Sequence, residues 1–481
     1  MVMGVGLYTV RAILDLLGVV DFGIYNVVGG FVAMFSFWNG TLATSSQRYF
    51  SINLAKGDLK RLNEWFCLNI SAYSIFILVF ILIMETVGLW FVNSQMTIPE
   101  ERMAAANVVY QLSIVSFCVN LISIPYNALI ISYERMSAFA YISIVEALLK
   151  LAIVGLLAVI TWDKLVVYGI LMLLASCAIS ISYMIYCRMR FPVSKYRFYW
   201  EKSGLYEMLG FSGWHLFGTL SVAFRYQGIN ILLNLFFNPA VNAARAVAYQ
   251  IHNAILQFSD NFFTAVKPQI YKSYASSDFS GLYKLILRST AMCSFLVSVL
   301  VFPVILNSNY ILGLWLKEVP EYTVLFTRLA LINALIDSIS GPTIAPALAT
   351  GRIKKFQLFV SSIALLNLPI SYFALKFGAT PEITMIVSIV LSYVLVFVRV
   401  FLLREMIGLP LKDYTSQITK MTIAFTTILF FSYRNIFDMA GNFIELCLWS
   451  LGIDVILLVV YLLFIFDSED IKLFIRIIRR K

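Results

Sequence analysis

Residues 138–190 read AFAYISIVEALLKLAIVGLLAVITWDKLVVYGILMLLASCAISISYMIYCRMR. Two apolar runs of more than twenty residues are separated only by Thr161, Trp162, Asp163 and Lys164. At 1.5 Å per helical residue, each is long enough to cross a hydrocarbon core of about 30 Å. Glu146 and Lys150, the charged residues inside the first run, stand four apart and read as a self-neutralising pair on one helix face. Arg188 and Arg190 close the second run, whereas the turn between the runs holds a single lysine.

The rest of the chain repeats this pattern. Of its 481 residues 60% are hydrophobic and only 13% charged, about half the charged share of soluble domains. Spans of this kind fall near 1–17, 22–47, 66–92, 105–131, 138–161, 165–187, 211–236, 243–266, 289–313, 323–350, 356–376, 383–403, 420–433 and 442–466, fourteen in all. Alternate loops and the tail, at 48–64, 132–136, 188–209, 267–288, 351–355, 399–420 and 467–481, hold 26 of the 36 Lys and Arg; the opposite loops hold five, and five lie inside helices. That asymmetry places both termini in the cytoplasm, and the +10 net charge is a topology signal rather than a nucleic-acid footprint. Residues 1–17 lack a basic n-region and a small-residue cleavage site, and carry Arg11 and Asp15 in their apolar part. They read as a membrane helix, not a cleaved signal.

Several function classes fall away. The six cysteines have no paired spacing and read as buried thiols without a metal or redox role. No Gly-rich phosphate loop, zinc pair or nucleophile elbow occurs, and two histidines, His215 and His252, cannot build a His-based catalytic centre. No catalytic residue, metal ligand or cofactor is expected, and no loop is large enough for a soluble catalytic domain. The segment 188–210 interleaves aromatic and basic residues, which fits either a helix at the headgroup boundary or a plain cytoplasmic linker.

A shift of 220 residues lays Ala55 on Ala275, Asp58 on Asp278 and Asn39 on Ser259; a shift of 217 lays Pro125 on Pro342 and Arg135 on Arg352. An even number of spans separates the copies, so two six-helix lobes of equal orientation are expected, related by a pseudo-two-fold along the membrane normal. The expected architecture is an all-α polytopic membrane protein: lobes at 1–187 and 211–407, the linker 188–210, and two extra helices with a basic tail at 408–481. Two lobes around a cleft make an alternating-access transporter.

Ionisable groups inside spans cost roughly 2.5–3.5 kcal/mol each on insertion scales, so each needs a partner, a cavity or a role. Helix eight of the fourteen is the most polar, with Arg245, Tyr249, His252 and Ser259 at helical spacing and Asp260 nearby. Helix seven adds Arg225, with Tyr226, Asn230 and Asn234 four apart on one face. With Arg11 and Asp15 these predict a mildly cationic cleft that suits phosphate and sugar hydroxyls. His252 fits proton coupling or a packing role equally well. Asp15 reads either as a partner for Arg11 or as a coupling group, and Asp337 lies beside Pro342 and Pro346, where a hinge and a static kink are both open.

Leu17-Gly18, Asp21-Phe22-Gly23-Ile24-Tyr25, Gln47-Arg48, Pro125-Tyr126-Asn127-Ala128 and Ser132-Tyr133-Glu134-Arg135 together resemble bacterial polysaccharide flippases of the Wzx type, in the multidrug, oligosaccharidyl-lipid and polysaccharide exporter superfamily. The resemblance implies an inner-membrane flippase that moves an undecaprenyl-pyrophosphate-linked oligosaccharide to the periplasmic leaflet for lipopolysaccharide O-antigen or related surface glycan. Glycan-assembly proteins would be its partners. It also implies Arg11, Arg48, Arg225 and Arg245 as substrate contacts, with Asn230, Asn234 and Tyr249 beside them. Asp15, His252, Asp260 and Asp337 would couple a proton or sodium ion. The family's first helix has a longer cytoplasmic lead-in, so the chain is expected to begin inside that helix. The alternative is an ion-coupled drug or small-molecule antiporter of the same superfamily, and behind it a membrane glycan polymerase. With both termini cytoplasmic, an alkaline phosphatase fused to the C-terminus is expected to be inactive, and activity there would overturn the topology.

Overall fold

The computed structural model describes residues 2–94, 96, 98–237, 239–316, 319–435 and 441–467, with the side chains of 2–8, 10, 11, 14, 19, 33, 239 and 430–435 outside the description. The described chain is helical throughout and contains no strand: α1 Val2–Ala33, α2 Phe37–Ala55, α3 Leu59–Ile83, α4 Leu89–Ser94, α5 Met103–Ser132, α6 Met136–Val159, α7 Lys164–Arg190, α8 Lys202–Phe236, α9 Pro239–Ala275, α10 Phe279–Leu306, α11 Ser308–Trp315, α12 Thr323–Ser340, α13 Ile344–Thr350, α14 Lys354–Leu365, α15 Asn367–Lys376, α16 Ile383–Ile407, α17 Leu411–Asn435 and α18 Phe443–Val460. Ten helical stretches are long and apolar enough to cross a membrane. The other four of the fourteen expected segments are the start of α1 before its kink at Gly18 (φ 78°), together with α8, α9 and α17. Those last three are long enough but too polar to meet the same test among the described residues.

The chain divides into two compact units, Met1–Leu216 and Phe217–Lys481. Turns repeat between them at the spacings seen in sequence. Gly57 (φ 70°) and Ser277 (φ 58°), 220 apart, both take the left-handed conformation. Each is followed by an aspartate that caps a helix, Asp58 accepting from the Arg61 N–H at 2.8 Å and Asp278 from the Gly281 N–H at 2.9 Å. Glu134 (φ 58°) and Gly351 (φ 73°), 217 apart, repeat the left-handed turn. Two unrelated loops would not share both conformations at these spacings, so the repeat is a property of the fold.

With no water at hydrocarbon depth, polar groups must be satisfied within the protein. In the first unit α3 opens into a π turn at Met84–Gly88, and the Tyr110 hydroxyl on α5 donates to the Met84 carbonyl at 2.7 Å. Gly88 is obligatory there, because a Cβ would stand 2.1 Å from that hydroxyl. In the second unit the two extra helices dock through tyrosines. Tyr414 of α17 meets Thr290 and the Ile339 carbonyl, both at 3.2 Å, and Tyr461, just past α18, bonds Ser294 at 2.6 Å and Ser298 at 3.3 Å. Between α12 and α13 the segment Gly341–Thr343 is a 3-10 turn, where Pro342 and its neighbours interrupt the helix.

Three expectations need correction. Of the two readings of segment 188–210 the single interfacial helix is excluded: α7 runs to Arg190, a short 3-10 turn follows, and 195–201 is irregular, with Lys195 extended, before α8 begins at Lys202. That strap is held by α3, with Asn63 Nδ2 donating to the Val193 and Lys195 carbonyls at 2.7 and 3.0 Å. Main-chain capture by one amide explains why an amphipathic pattern did not become a helix. Lys267 and Arg399, expected in loops, lie inside α9 and α16, which continue until Ser277 and Gly408 end them in left-handed turns. Cysteines are free throughout the described residues, but Cys447 is exposed and Cys177 only half-buried.

The strap ends in an ion network. Arg61 contacts Glu201 at 2.6 Å and Glu64 at 3.0 Å, and Ser203 and Tyr199 also donate to Glu201. Donation by Arg61 above all, then by Ser203, draws the Glu201 carboxyl down to about 2. A carboxylate whose folded pKa lies below its unfolded value stabilises the fold above that unfolded value, about 4.3, and loses the contribution as pH falls through it toward the folded one. The group is partly solvated, so the contribution is about 0.5–1 kcal/mol. Melting temperature in detergent is therefore expected to fall between pH 5 and 3, and Glu201→Gln to be less stable near neutral pH with a shallower fall. Identical melting profiles would show that the latch contributes nothing.

Candidate functional site

The three helices too polar to read as plain spans include α8 and α9, and these two build a cavity of about 360 Å³ in the second unit. On α8, Val222, Arg225, Tyr226 and Ile229 recur at helical spacing; on α9, Arg245, Tyr249, His252 and Leu256 do the same. Asp337 of α12, Asn367 of α15, and Thr384 and Ser388 of α16 complete a polar lining with two guanidinium groups and one carboxylate.

Arg245 is 2% exposed. Its guanidinium carbon lies 4.5 Å from the ring centroids of both Tyr226 and Tyr249, and Nη1 donates to Asn230 Oδ1. The two rings meet edge to face at 5.2 Å. Each aromatic face stabilises a desolvated guanidinium by about 2 kcal/mol or more, which seats the cation without neutralising it. Its Nε remains buried without a hydrogen-bond partner. Arg225, half-buried beside it, makes no hydrogen bond or ion pair among the described residues. A buried donor with no protein acceptor is the feature a bound anion would complete.

His252, also buried, stacks obliquely on Tyr249 at 5.3 Å and places Nε2 3.7 Å from Asp337 Oδ2. That separation is too long for a hydrogen bond, and His252 Nε2 has no other partner. Asn333 fixes the carboxylate by donating to the same oxygen at 2.8 Å.

The sequence candidates thus separate. Arg225, Arg245, Tyr249, His252 and Asp337 line one cavity, with Asn230 supporting Arg245 from behind. Asn234 is exposed and takes no part in the lining. Asp260 is exposed on α9 outside the lining and interacts electrostatically with Lys267, Asp337 and His252. Arg48 belongs to the first unit, buried at 7% exposure, its guanidinium carbon 4.8 Å from the Tyr49 ring and 5.1 Å from Phe211. Asp15 is exposed on α1, and the Arg11 side chain lies outside the described residues. Sequence reading missed Lys267, which interacts with Asp260, and Arg399, which bonds Ser340. The span 243–266 ends before Lys267, the first basic residue after Arg245, and Arg399, inside the span 383–403, is counted with the overlapping loop 399–420; the helix-stop signal at Gly408 and Pro410 keeps it within α16. Among the described residues no His, Cys, Asp and Glu cluster could hold a metal ion.

No family model matches the sequence, and no curated relative matches it. Solved structures do. One described as the outward-facing conformation of a multidrug resistance MATE family transporter of the MOP superfamily superposes with a TM-score of 0.72 at 12% identity, over 85% of this chain and 93% of that one. A crystal structure of MATE in the straight conformation gives 0.73 at 12%, over 85% and 93%. A MOP superfamily transporter from Pyrococcus furiosus, described by a reverse polarity of its binding pocket suggesting a different function, gives 0.66 at 12%, again over 85% and 93%. The fold is that of MOP superfamily transporters, in which two lobes of six helices recur. The first two neighbours are described as MATE proteins and none of the three as a polysaccharide flippase.

Because lysine cannot stack flat between two rings, Arg245→Lys is expected to cost about 1–2 kcal/mol of stability, while Arg225→Lys, at a half-buried and unstacked position, leaves melting unchanged. Equal melting temperatures for both variants would remove the stacked-cation account.

Proposed function

We propose that this chain is a secondary transporter, an ion-coupled exporter whose substrate is an amphipathic organic anion. The observation that carries this reading is the pair Arg225 and Arg245 set against the single carboxylate of Asp337 in one polar cavity. Arginine is the side chain best matched to phosphate or carboxylate oxygens, and a buried guanidinium with an unused Nε is primed to donate to one. The transporter fold supports export over catalysis. His252 with Asp337, and Asp260 beyond them, are the groups we assign to the exchanged proton or sodium ion; protonation of His252 would tighten its contact with Asp337 and alter the charge offered to the substrate. The cell inner membrane, with both termini cytoplasmic, is the proposed location.

The same arginines favour a second reading, a flippase for an undecaprenyl-pyrophosphate-linked oligosaccharide, since a pyrophosphate is the densest anionic group a lipid-linked sugar carries. The two readings differ in the tail of the substrate. Proteoliposomes separate them: uptake of a fluorescent small organic anion against a pH gradient is expected for the exporter, and leaflet exchange of a polyprenyl-pyrophosphate glycan for the flippase. In either assay replacing Arg225 and Arg245 together with Ala is expected to lower transport at least tenfold with membrane level unchanged. Unaltered transport by the double variant would overturn the role given to the cavity.

A further inference from the structure

Two further cavities differ from the arginine site in chemistry. One, of about 390 Å³ in the first unit, has Asn39 in its wall and no Asp, Glu, Lys, Arg or His among its lining residues. The other, of about 370 Å³ in the second unit, is the reverse. Arg288 of α10 and Lys412 and Lys420 of α17 line it, with the carboxylates of Asp413 and of Asp467, just past α18, in the same wall. Three cations against two carboxylates leave this lining with one net positive charge.

Helix length places the charged cavity at a membrane surface. At 1.5 Å per residue α10, of 28 residues, is about 42 Å long and α17, of 25, about 38 Å, and both exceed a hydrocarbon core of about 30 Å. The lining comes from the first turns of these two helices and from the end of α18, the ends that carry the basic loops 267–288 and 399–420 and the basic tail. Lys412, Ser416 and Lys420 stand four apart on one face of α17, and the same face continues to Ile423, an exposed apolar residue. A stripe that turns from cationic to apolar along one helix has the polarity profile of a phospholipid, from headgroup to chain.

The side chains of Lys412 and Lys420 are exposed and make no hydrogen bond or ion pair among the described residues. Gln417, between them in sequence, donates Nε2 to the Leu287 carbonyl at 3.1 Å, which leaves its buried Oε1 without a donor. A buried acceptor beside cations without partners is completed by a ligand that carries both an anionic oxygen and a hydrogen-bond donor. We infer that this cavity binds the headgroup of a membrane lipid, a phosphodiester with hydroxyl groups as in phosphatidylglycerol. The phosphate takes Lys412 and Lys420, and a glycerol hydroxyl donates to Gln417 Oε1. A net positive lining favours this anionic headgroup over a zwitterionic one. The lipid is a bound component that fills the space between α10 and the two extra helices, not the transported solute, so the inference stands independently of the transport reading.

Native mass spectrometry of the whole protein, in detergent with equal amounts of phosphatidylglycerol and phosphatidylcholine, reads the site directly. Phosphatidylcholine carries the same phosphate, but its headgroup is neutral overall and has no hydrogen-bond donor. The wild type is expected to retain phosphatidylglycerol about tenfold more than phosphatidylcholine, and the double variant Lys412→Gln with Lys420→Gln to lose that preference. Both lysines are exposed, so the substitutions disturb no packing. Arg352→Gln with Arg404→Gln removes the same charge from the same set of basic loops, at exposed positions outside the cavity, and is expected to keep the preference. An equal loss in that control would make the attraction a general property of the basic face and overturn the site, as would equal retention of the two lipids by the wild type. Melting temperature gives a second reading: phosphatidylglycerol is expected to raise it in the wild type and not in the lysine double variant. Inorganic phosphate at the same concentration is expected to leave melting unchanged, and a matching rise with phosphate alone would assign the cavity to a soluble anion and overturn the lipid.

Discussion

A cation at hydrocarbon depth has to bring its own solvent, and the second unit is arranged around that requirement. The Arg245 guanidinium receives two tyrosine faces and one amide oxygen in place of water. Beside it on α9, Ala244 and Ala248 are fully buried and share one apolar cluster with Ile229 and Leu233 of α8 and with Phe326 and Ala330 of α12. Small residues allow the close helix approach that membrane packing relies on where no hydrophobic force drives helices together. The resulting helices are too polar to insert as independent spans. Arg225, Arg245, Tyr249 and His252, the most polar of their residues, face the cavity, which is how such groups are accommodated within a span.

The two units have kept the same turns while diverging on their inner faces. The caps at Asp58 and Asp278, and the left-handed residues that precede them, are fixed by backbone geometry and tolerate little change. Cavity-facing positions carry no such constraint. Asn39 and Ser259, matched at the 220-residue spacing, show the consequence: Asn39 offers an unpaired oxygen to the cavity of the first unit, whereas Ser259 is buried and bonded toward Cys293 in the second. A duplicated scaffold can in this way present a neutral lining in one copy and a cationic one in the other without altering its helices.

Much of this was legible in the sequence because a bilayer imposes length and polarity on every span. Fourteen segments, the repeat, and the gathering of Arg225, Arg245, Tyr249 and His252 all follow from apolar length, charge and the 3.6-residue period. What was not legible depended on contacts between distant residues. The strap at 195–201 leaves the helix where Asn63 captures the Val193 and Lys195 carbonyls, and nothing local in 188–210 announces that. Lys267 and Arg399 were hidden because a basic residue near a span end looks the same whether it snorkels into a loop or turns inward.

The sign of the substrate's charge is where the fold and the site pull in different directions. The multidrug resistance description of one structural neighbour says nothing about charge, whereas the cavity does. A cation brought within about 6 Å of either arginine, at an effective dielectric of about 20, is disfavoured by about 3 kcal/mol for each, and Asp337 offsets one of the two. The remaining difference lowers occupancy by a cation about a hundredfold relative to a neutral ligand of the same shape, and raises that of an anion by a similar factor. A fold shared with a multidrug resistance MATE family transporter is therefore compatible with a cavity that favours anions, since that preference is set by a handful of side chains on α8, α9 and α12 and not by the helices that carry them.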